Sequence, residues 1–430
     1  MKHLLFIFSI FFIANASAQN LSLQEAINIA LKNNFDIQIA KNEVEINKIN
    51  NHIGVAGGLP TVTATATDQQ SITNVNQKLN TGTEIRRNGA SANALNANVT
   101  GSLLLYNGFR VIATKERLEE LEKQSEQLLN AQIQNTIAAV MLGYYEVVRQ
   151  QSSMKTLQQS IDLSKKQLEL FQIRKEVGLA NNADIFQSQI DLNTRLQDMQ
   201  AQQLIVAQTK TDLLNLLEIK SDSLINITDT IIVDTNILLP DVLASVNNHP
   251  QILSLDYQIK INELIEKETA SLRKPSLRAN TGVNFGRTQS GAGQLLLNQN
   301  YGPFVGLSLS VPIYSGGAIR RQERVAGINT QNAKLQKENT ITDYQALTIK
   351  TFQAYTNSLE QLKMQQETYK LSQQLVDLSL QRFQLAAATI IEVREAQKSF
   401  EDAGFRLVNL SYAAKIAEIE LKRISNTLGN

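Results

Sequence analysis

The chain has 430 residues, with no cysteine, no tryptophan and a formal net charge of +1 from 41 basic and 40 acidic side chains. The missing thiols exclude disulfides, thiolate metal sites, cysteine nucleophiles and a lipid-carrying N-terminal cysteine. The balanced charge gives no global basic field for nucleic acid.

Residues 1–18 read as a secretory signal peptide. Lys2 and His3 give a basic start, Leu4 to Ile13 an apolar run, and Ala16-Ser17-Ala18 a small-residue cleavage site. The run is too short to span a bilayer, and the mature chain is expected outside the cytoplasm. No apolar stretch long enough for a membrane helix follows, so any membrane crossing must use strands.

After the signal the chain is written twice. At an offset of 208 positions Ser102 pairs with Ser310, Tyr106 with Tyr314, Gly108 with Gly316, Arg174 with Arg382, Asp184 with Glu392 and Gln189 with Gln397. This periodicity predicts two tandem structural repeats, 19–220 and 241–430, joined by a linker over 221–240. The first repeat opens with a helix whose stripe is Leu23, Ala26, Ile27, Ala30 and Leu31, behind a Ser22/Glu25 capping box. Pro60 and Pro275 break the opening helices, and two strands follow in each half, at 61–69 and 96–106, then at 276–286 and 303–314. Polar loops over 70–95 and 287–301 separate them.

The strands carry the sharpest pattern. Val305, Leu307, Leu309, Val311 and Ile313 alternate with small polar residues, as do Ala97, Val99, Gly101, Leu103 and Leu105. Leu277, Ala279, Val283 and Phe285 oppose Arg278, Asn280 and Asn284, while Val62, Ala64 and Ala66 oppose Thr61, Thr63 and Thr65. Such segments are apolar on one side and polar on the other, as in membrane-barrel strands; any one alone also fits a half-buried strand of a soluble sheet. Four strands cannot close a barrel, and open edges do not survive in lipid, so several chains must assemble. A dimer gives eight strands with a filled interior, a trimer twelve with room for a channel, and the polar inner face favours the wetter arrangement.

Beyond each Tyr-x-Gly runs a helix of about 65 residues, roughly 100 Å at 1.5 Å per residue. Short interruptions near 178–183 and 385–389 precede last helices of about 35 residues. Met154, Leu157, Ile161, Ser164, Leu168 and Phe171 form a heptad seam that calls for neighbouring helices. A hollow helical wall and a solid bundle fit that seam equally.

Taken in order, LSLQEAINIALKNNFDIQIA, LLLYNGF, VGLANNAD, NNHPQI, VPIYSGG and LAAATIIEVREAQ resemble the TolC-type outer membrane factors across essentially the whole mature chain. The resemblance implies a mixed α and β membrane protein: a trimeric twelve-stranded transmembrane β-barrel, four strands per chain, continued by a long periplasmic α-helical barrel with coiled coils. It implies a homotrimeric outer membrane exit duct, reaching into the periplasm of a Gram-negative cell and partnered by a periplasmic adaptor and an inner-membrane pump. It makes Asp184, Glu392 and Glu395 a periplasmic gate and selectivity ring. Val177-Gly178-Leu179, with its second copy at Leu385 and Ala386, becomes an adaptor-docking tip. Relatives often latch this tip with a tyrosine and an arginine; Phe383 and Ala388 stand at those places. Tyr106, Gly108, Tyr314, Gly316 and Gly317 mark the crossing from barrel to helix, with the tyrosines at the strand ends. The linker is placed near the equator of the tunnel, where Ile231, Val233 and Ile237 are expected to add a small strand.

No catalytic, cofactor or metal-binding constellation stands out. His52 and His249 lack the spacing of a ligand motif, and Ser290-Gly291-Ala292-Gly293 reads as a hairpin turn rather than a phosphate loop. The alternative to a conduit is a secreted or periplasmic helical stalk that conducts nothing.

Overall fold

The computed structural model describes residues 19–292 and 295–428. The expected signal peptide and Gly293 lie outside the described residues. The elements run β1 (Gln19–Asn20), α1 (Leu23–Asn33), α2 (Phe35–Asn50), β2 (Thr61–Lys78), β3 (Glu84–Tyr106), α3 (Arg110–Glu176), α4 (Asn182–Leu216), β4 (Ile225–Asn226), α5 (Leu239–Ser245), a 3-10 turn (Val246–Asn248), α6 (Pro250–Ser271), β5 (Ser276–Ser290), β6 (Leu297–Ser310), α7 (Ala318–Gln384) and α8 (Ile390–Ile424). Both α3 and α7 have 67 residues, both α4 and α8 have 35, and each bound of the later helix lies 208 positions after the earlier one. None of the described helices is long and apolar enough to cross a membrane. The chain divides into two compact units, residues 42–127 with 253–338, and the remainder.

The first of these units holds a four-stranded antiparallel sheet in the order β2-β3-β5-β6. Its register aligns the alternation seen in the sequence. Ala64, Val99, Val283 and Pro303 lie in one row; Ala66, Ala97, Phe285 and Tyr301 lie in the next row of the same face. Leu103, Ala279 and Leu307 continue it, and Thr65, Asn98, Asn284 and Gly302 occupy the opposite face. The apolar face is exposed: Val305 is 86% accessible, and Val62, Val283, Leu307 and Leu309 are also exposed. A row of Asp68, Leu95, Arg287 and Gln299 ends it on one side. Along β5 the apolar band runs from Leu277 to Phe285, about 27 Å of strand, the span needed to cross a bilayer.

All four strand predictions are corrected, β5 running past 286 to Ser290. β2 and β3 continue through most of the segment expected to be a polar loop, up to a tight turn where Leu79 N–H donates to the Thr83 carbonyl at 2.8 Å. Their outer halves are mostly polar on both faces, with Ile72, Val75 and Ile85 scattered among polar neighbours, so backbone pairing rather than burial makes them strand. β6 starts earlier than expected, at Leu297, and ends at Ser310, so Val311, Ile313 and Tyr314 lie beyond it; Pro312 has no N–H to extend a ladder. Tyr106 does end β3, and a bulge between Leu104 and Tyr106 shifts it to the face of Leu277. Without that extra residue Tyr106 would share the polar face of Leu104.

In the other unit α1 begins with the expected capping box: the Ser22 hydroxyl accepts from Glu25 N–H, and the Glu25 carboxylate accepts from Ser22 N–H at 3.0 Å. Ala26, Ile27 and Ala30 pack with Ile137, Val140 and Tyr144 of α3 and Leu213, Leu214 and Leu217 at the end of α4. The heptad seam of α3 buries Leu157 and Ile161 against Leu192 and Met199 of α4. The linker strand is not at Ile231, Val233 and Ile237. It is Ile225–Asn226, which pairs in parallel with Gln19–Asn20. Ile231, Val233 and Ile237 instead insert side chains between helices. Packing therefore satisfies the three, and no ladder is needed.

Candidate functional site: the helical turns and the strand-to-helix junctions

Both long helices end in the same way. At the first turn Leu179 N–H reaches the Arg174 carbonyl (2.8 Å) and Gly178 N–H the Lys175 carbonyl (2.9 Å). At the second, Ala387 N–H reaches the Arg382 carbonyl (2.8 Å) and Ala386 N–H the Phe383 carbonyl (3.1 Å). These paired bonds are Schellman motifs, which need a left-handed residue at their centre. Gly178 supplies it at φ +77°, but at the second turn Ala386 adopts φ +55°. A β-carbon makes that conformation costly by about 1 kcal/mol. Val177, Leu179 and Leu385 stand exposed around the two turns.

The next helices start on side-chain caps. Asn181 caps α4, and Asp184 returns the bond by accepting from Asn181 N–H at 3.1 Å. Thr389 caps α8 by accepting from Glu392 N–H at 3.3 Å. Asp184 and Glu392 thus sit where a carboxylate suits the positive end of a helix. Glu392 also faces Arg382 at 3.7 Å, an exposed pair, while Arg382 donates to the Ala387 carbonyl at 2.9 Å. Glu395 is exposed and has no hydrogen-bond or ion-pair partner among the described residues. The structure therefore separates the three predicted acids: two are used by helix starts and one is free.

Beneath the turns is an apolar cluster of Phe171, Phe383 and Val393, with Ala180, Ile185 and Ala388 against it. Phe383 is 4% exposed and its ring meets Phe171 edge-on at 5.3 Å. A tyrosine hydroxyl would be costly in such a site without a partner, so phenylalanine is the consistent choice. Arg174 lies 4.5 Å over the Phe383 ring and donates to the Phe383 carbonyl at 2.7 Å, tying α3 to α7. Arg394 of α8 pairs with Asp191 of α4 at 3.2 Å, tying the other two helices. Sequence reasoning gave Arg174 and Arg382 no role in the tip. The signal was there: the two arginines are repeat partners, each in the last turn of its helix, where cations are favoured.

In the sheet unit, Gly108 and Gly316 both take positive φ, +71° and +60°. A β-carbon on Gly108 would come within 2.6 Å of Lys274 Cβ and 3.0 Å of the Ser271 carbonyl, whereas Gly316 has open space. The next residues, Phe109 and Gly317, are also left-handed, at φ +70° and +72°. Phe109 is held by an edge-on contact with Tyr106 at 5.5 Å. Tyr314 is exposed and makes no ring contact among the described residues.

The profile of a family described as outer membrane efflux protein matches residues 26–217 and 270–427. Outer membrane protein TolC of Vibrio cholerae is 24% identical over 323 residues, covering 72% of this chain and 72% of the relative. Toxin and drug export protein A of Aggregatibacter actinomycetemcomitans is 21% identical over 404 residues, covering 92% and 84%. The Campylobacter jejuni CmeC outer membrane channel shares the fold with a TM-score of 0.77 at 16% identity, over 94% of this chain and 85% of that one. Strand register, helical turns and sequence relatives converge: this chain belongs to the outer membrane efflux protein family.

Proposed function

We propose that three copies of this outer membrane efflux protein close a twelve-stranded barrel and extend it as a periplasmic helical tunnel, forming a passive exit duct. The observation that carries the reading is the continuous exposed apolar face across β2, β3, β5 and β6, on a sheet whose outer strands β2 and β6 each have a free edge among the described residues. Lipid accepts the face and forbids the edges, so β6 of one copy pairs with β2 of the next. The matched helix lengths and identical turn bonds support two tandem repeats, 19–220 and 241–430, with 221–240 as an equatorial linker.

In this reading the turns at 177–181 and 385–389 form the closed periplasmic entrance. Val177, Gly178, Leu179, Leu385 and Ala386 present the surface for a periplasmic adaptor, and Asp184, Glu392 and Glu395 ring the opening. An inner-membrane pump supplies the energy, since the duct performs no chemistry. Purified protein should run as a heat-modifiable trimer and give discrete conductance steps in a planar bilayer. A soluble monomer, with no conductance even when the tip is loosened by substitution, would sink the proposal.

A further inference from the structure

We infer that the cavity where β3, β5 and β6 meet the start of α3 is an oxyanion site that takes a phosphate group from the aqueous side. The cavity measures about 240 Å³, enough for a phosphate with a small substituent or several waters. Arg110, Lys274 and Arg278 contribute three cationic side chains to its wall, Ser276 and Ser310 contribute hydroxyls, and no carboxylate lines it. The guanidinium groups of Arg110 and Arg278 have no ion pair among the described residues, and both residues are exposed. Three like charges around one unfilled space repel each other, and an anion between them reverses that term.

A second observation points to the same ligand. Asn107 lines the cavity, and its Oδ1 accepts from Val111 N–H at 3.3 Å at the first turn of α3. That bond fixes the amide, yet its Nδ2 is buried without a hydrogen-bond partner. A buried donor without an acceptor is unfavourable, and an anion in the adjoining cavity offers one once the Nδ2, closed to solvent as it stands, is uncovered. The start of α3 brings the positive end of its dipole to the same place, its Arg110 and Val111 N–H groups being held by Asn107. Lys274 donates to the Gly108 carbonyl at 3.4 Å, lies 5.5 Å over the Phe109 ring, and keeps donors to spare.

The source of the phosphate follows from the sheet. Leu104, Arg278 and Ser308 form one row, and Ser276 faces Ser310 in the next, both on the polar face. Lipid would contact the opposite face, so the ligand is inorganic phosphate or a soluble phosphate monoester. Guanidinium groups suit phosphate through paired, planar donors. The site needs only this chain's geometry; its position on a lumenal wall rests on the duct reading.

The test uses the full-length protein in phosphate-free detergent, titrated with inorganic phosphate by calorimetry and by ³¹P NMR line broadening. Saturable binding is expected, weakened at least ten-fold by Arg110→Gln and by Arg278→Gln separately, and partly restored in Arg278→Lys. Arg273→Gln, on an arginine already paired with Glu323 at 3.2 Å, should leave binding unchanged. Circular dichroism confirms that each variant folds; if neither glutamine variant does, the wild-type titration decides. No saturable phosphate binding, or binding indifferent to both substitutions, overturns the site. In a second arm the protein is placed in nanodiscs of phosphatidylcholine with or without phosphatidylglycerol. Dependence on phosphatidylglycerol with no response to inorganic phosphate would overturn the aqueous source. Phosphate binding without conductance would instead sink the duct and leave the site.

Discussion

Arg174 holds Phe383 twice, its guanidinium 4.5 Å over the ring and its Nη1 donating to the same residue's carbonyl at 2.7 Å. This one side chain crosses from the last turn of α3 to that of α7, so it resists separation of the two helical turns. A cation–π contact and a charge-assisted hydrogen bond, partly shielded from water, together contribute about 2 kcal/mol. Arg174→Met keeps the bulk and removes both. Parting of the turns should then be favoured roughly thirty-fold. Because the chain has no cysteine, spin labels at Leu179→Cys and Ala387→Cys report the turn-to-turn distance unambiguously. An unchanged distance distribution in Arg174→Met would show that the apolar cluster alone holds the turns.

The two Schellman turns differ in their central residue, glycine at 178 and alanine at 386. Gly178→Ala adds a β-carbon into open space but at φ +77°, so its cost is conformational, about 1 kcal/mol. Ala386→Gly should stabilise the second turn by a similar or smaller amount, because Ala386 already stands at φ +55°. Amide exchange at Leu179 and Ala387, the residues that close the motifs, reads each effect locally. Changes of the same sign in both variants would contradict the account.

The junction glycines should separate by packing. Gly108→Ala meets Lys274 Cβ at 2.6 Å as well as the positive φ, and should cost more than 2 kcal/mol. Gly316→Ala meets nothing and should cost about 1 kcal/mol. Yield of correctly inserted protein ranks the two, and equal yields would mean that Lys274 yields space freely.

His249 gives the helical unit a pH dependence. It is 2% exposed, its Nδ1 accepts from Gln251 N–H at 3.2 Å, and its ring lies 4.8 Å from that of Tyr344. Burial first, then the positive charge of Arg423, pushes its pKa down to about 4. The folded form therefore refuses a proton that the unfolded chain accepts near pH 6.5. Stability from this group is complete above pH 6.5 and falls as pH drops toward 4, by about 3 kcal/mol. Denaturation at a series of pH values should show the fall, and His249→Gln should flatten it. An identical slope in that variant would assign the dependence to other groups.

Much of this was legible before the structure. The 208-residue offset gave the four long helices nearly to their ends, because their stops are written in local chemistry: Gly178, then the caps Asn181 and Thr389. The apolar rows of the sheet were legible because the residues of one face alternate along each strand. The outer halves of β2 and β3 were not, since both faces are mostly polar there and only pairing defines them. Tyr314 was misplaced because its match with Tyr106 hid Pro312 and the bulge, which belong to one copy each. The grip of Arg174 on Phe383 was invisible because it joins residues 209 apart in the chain.

The charge at the tip follows from which acids are already paired. Arg382 faces Glu392 at 3.7 Å, so that pair is close to neutral, while Glu395 carries its charge freely. If three copies surround one opening, as proposed, each change of one unit charge acts three times within a narrow constriction. Glu395→Gln should then weaken the preference for cations. Arg382→Gln should strengthen it, because it unmasks Glu392 without disturbing the Thr389 cap. The Arg382–Glu392 pair and Glu395 are all exposed, so the effects should shrink in high salt. Reversal potentials under a potassium chloride gradient measure the preference directly. Shifts in the same direction for the two variants would place this charge away from the permeation path.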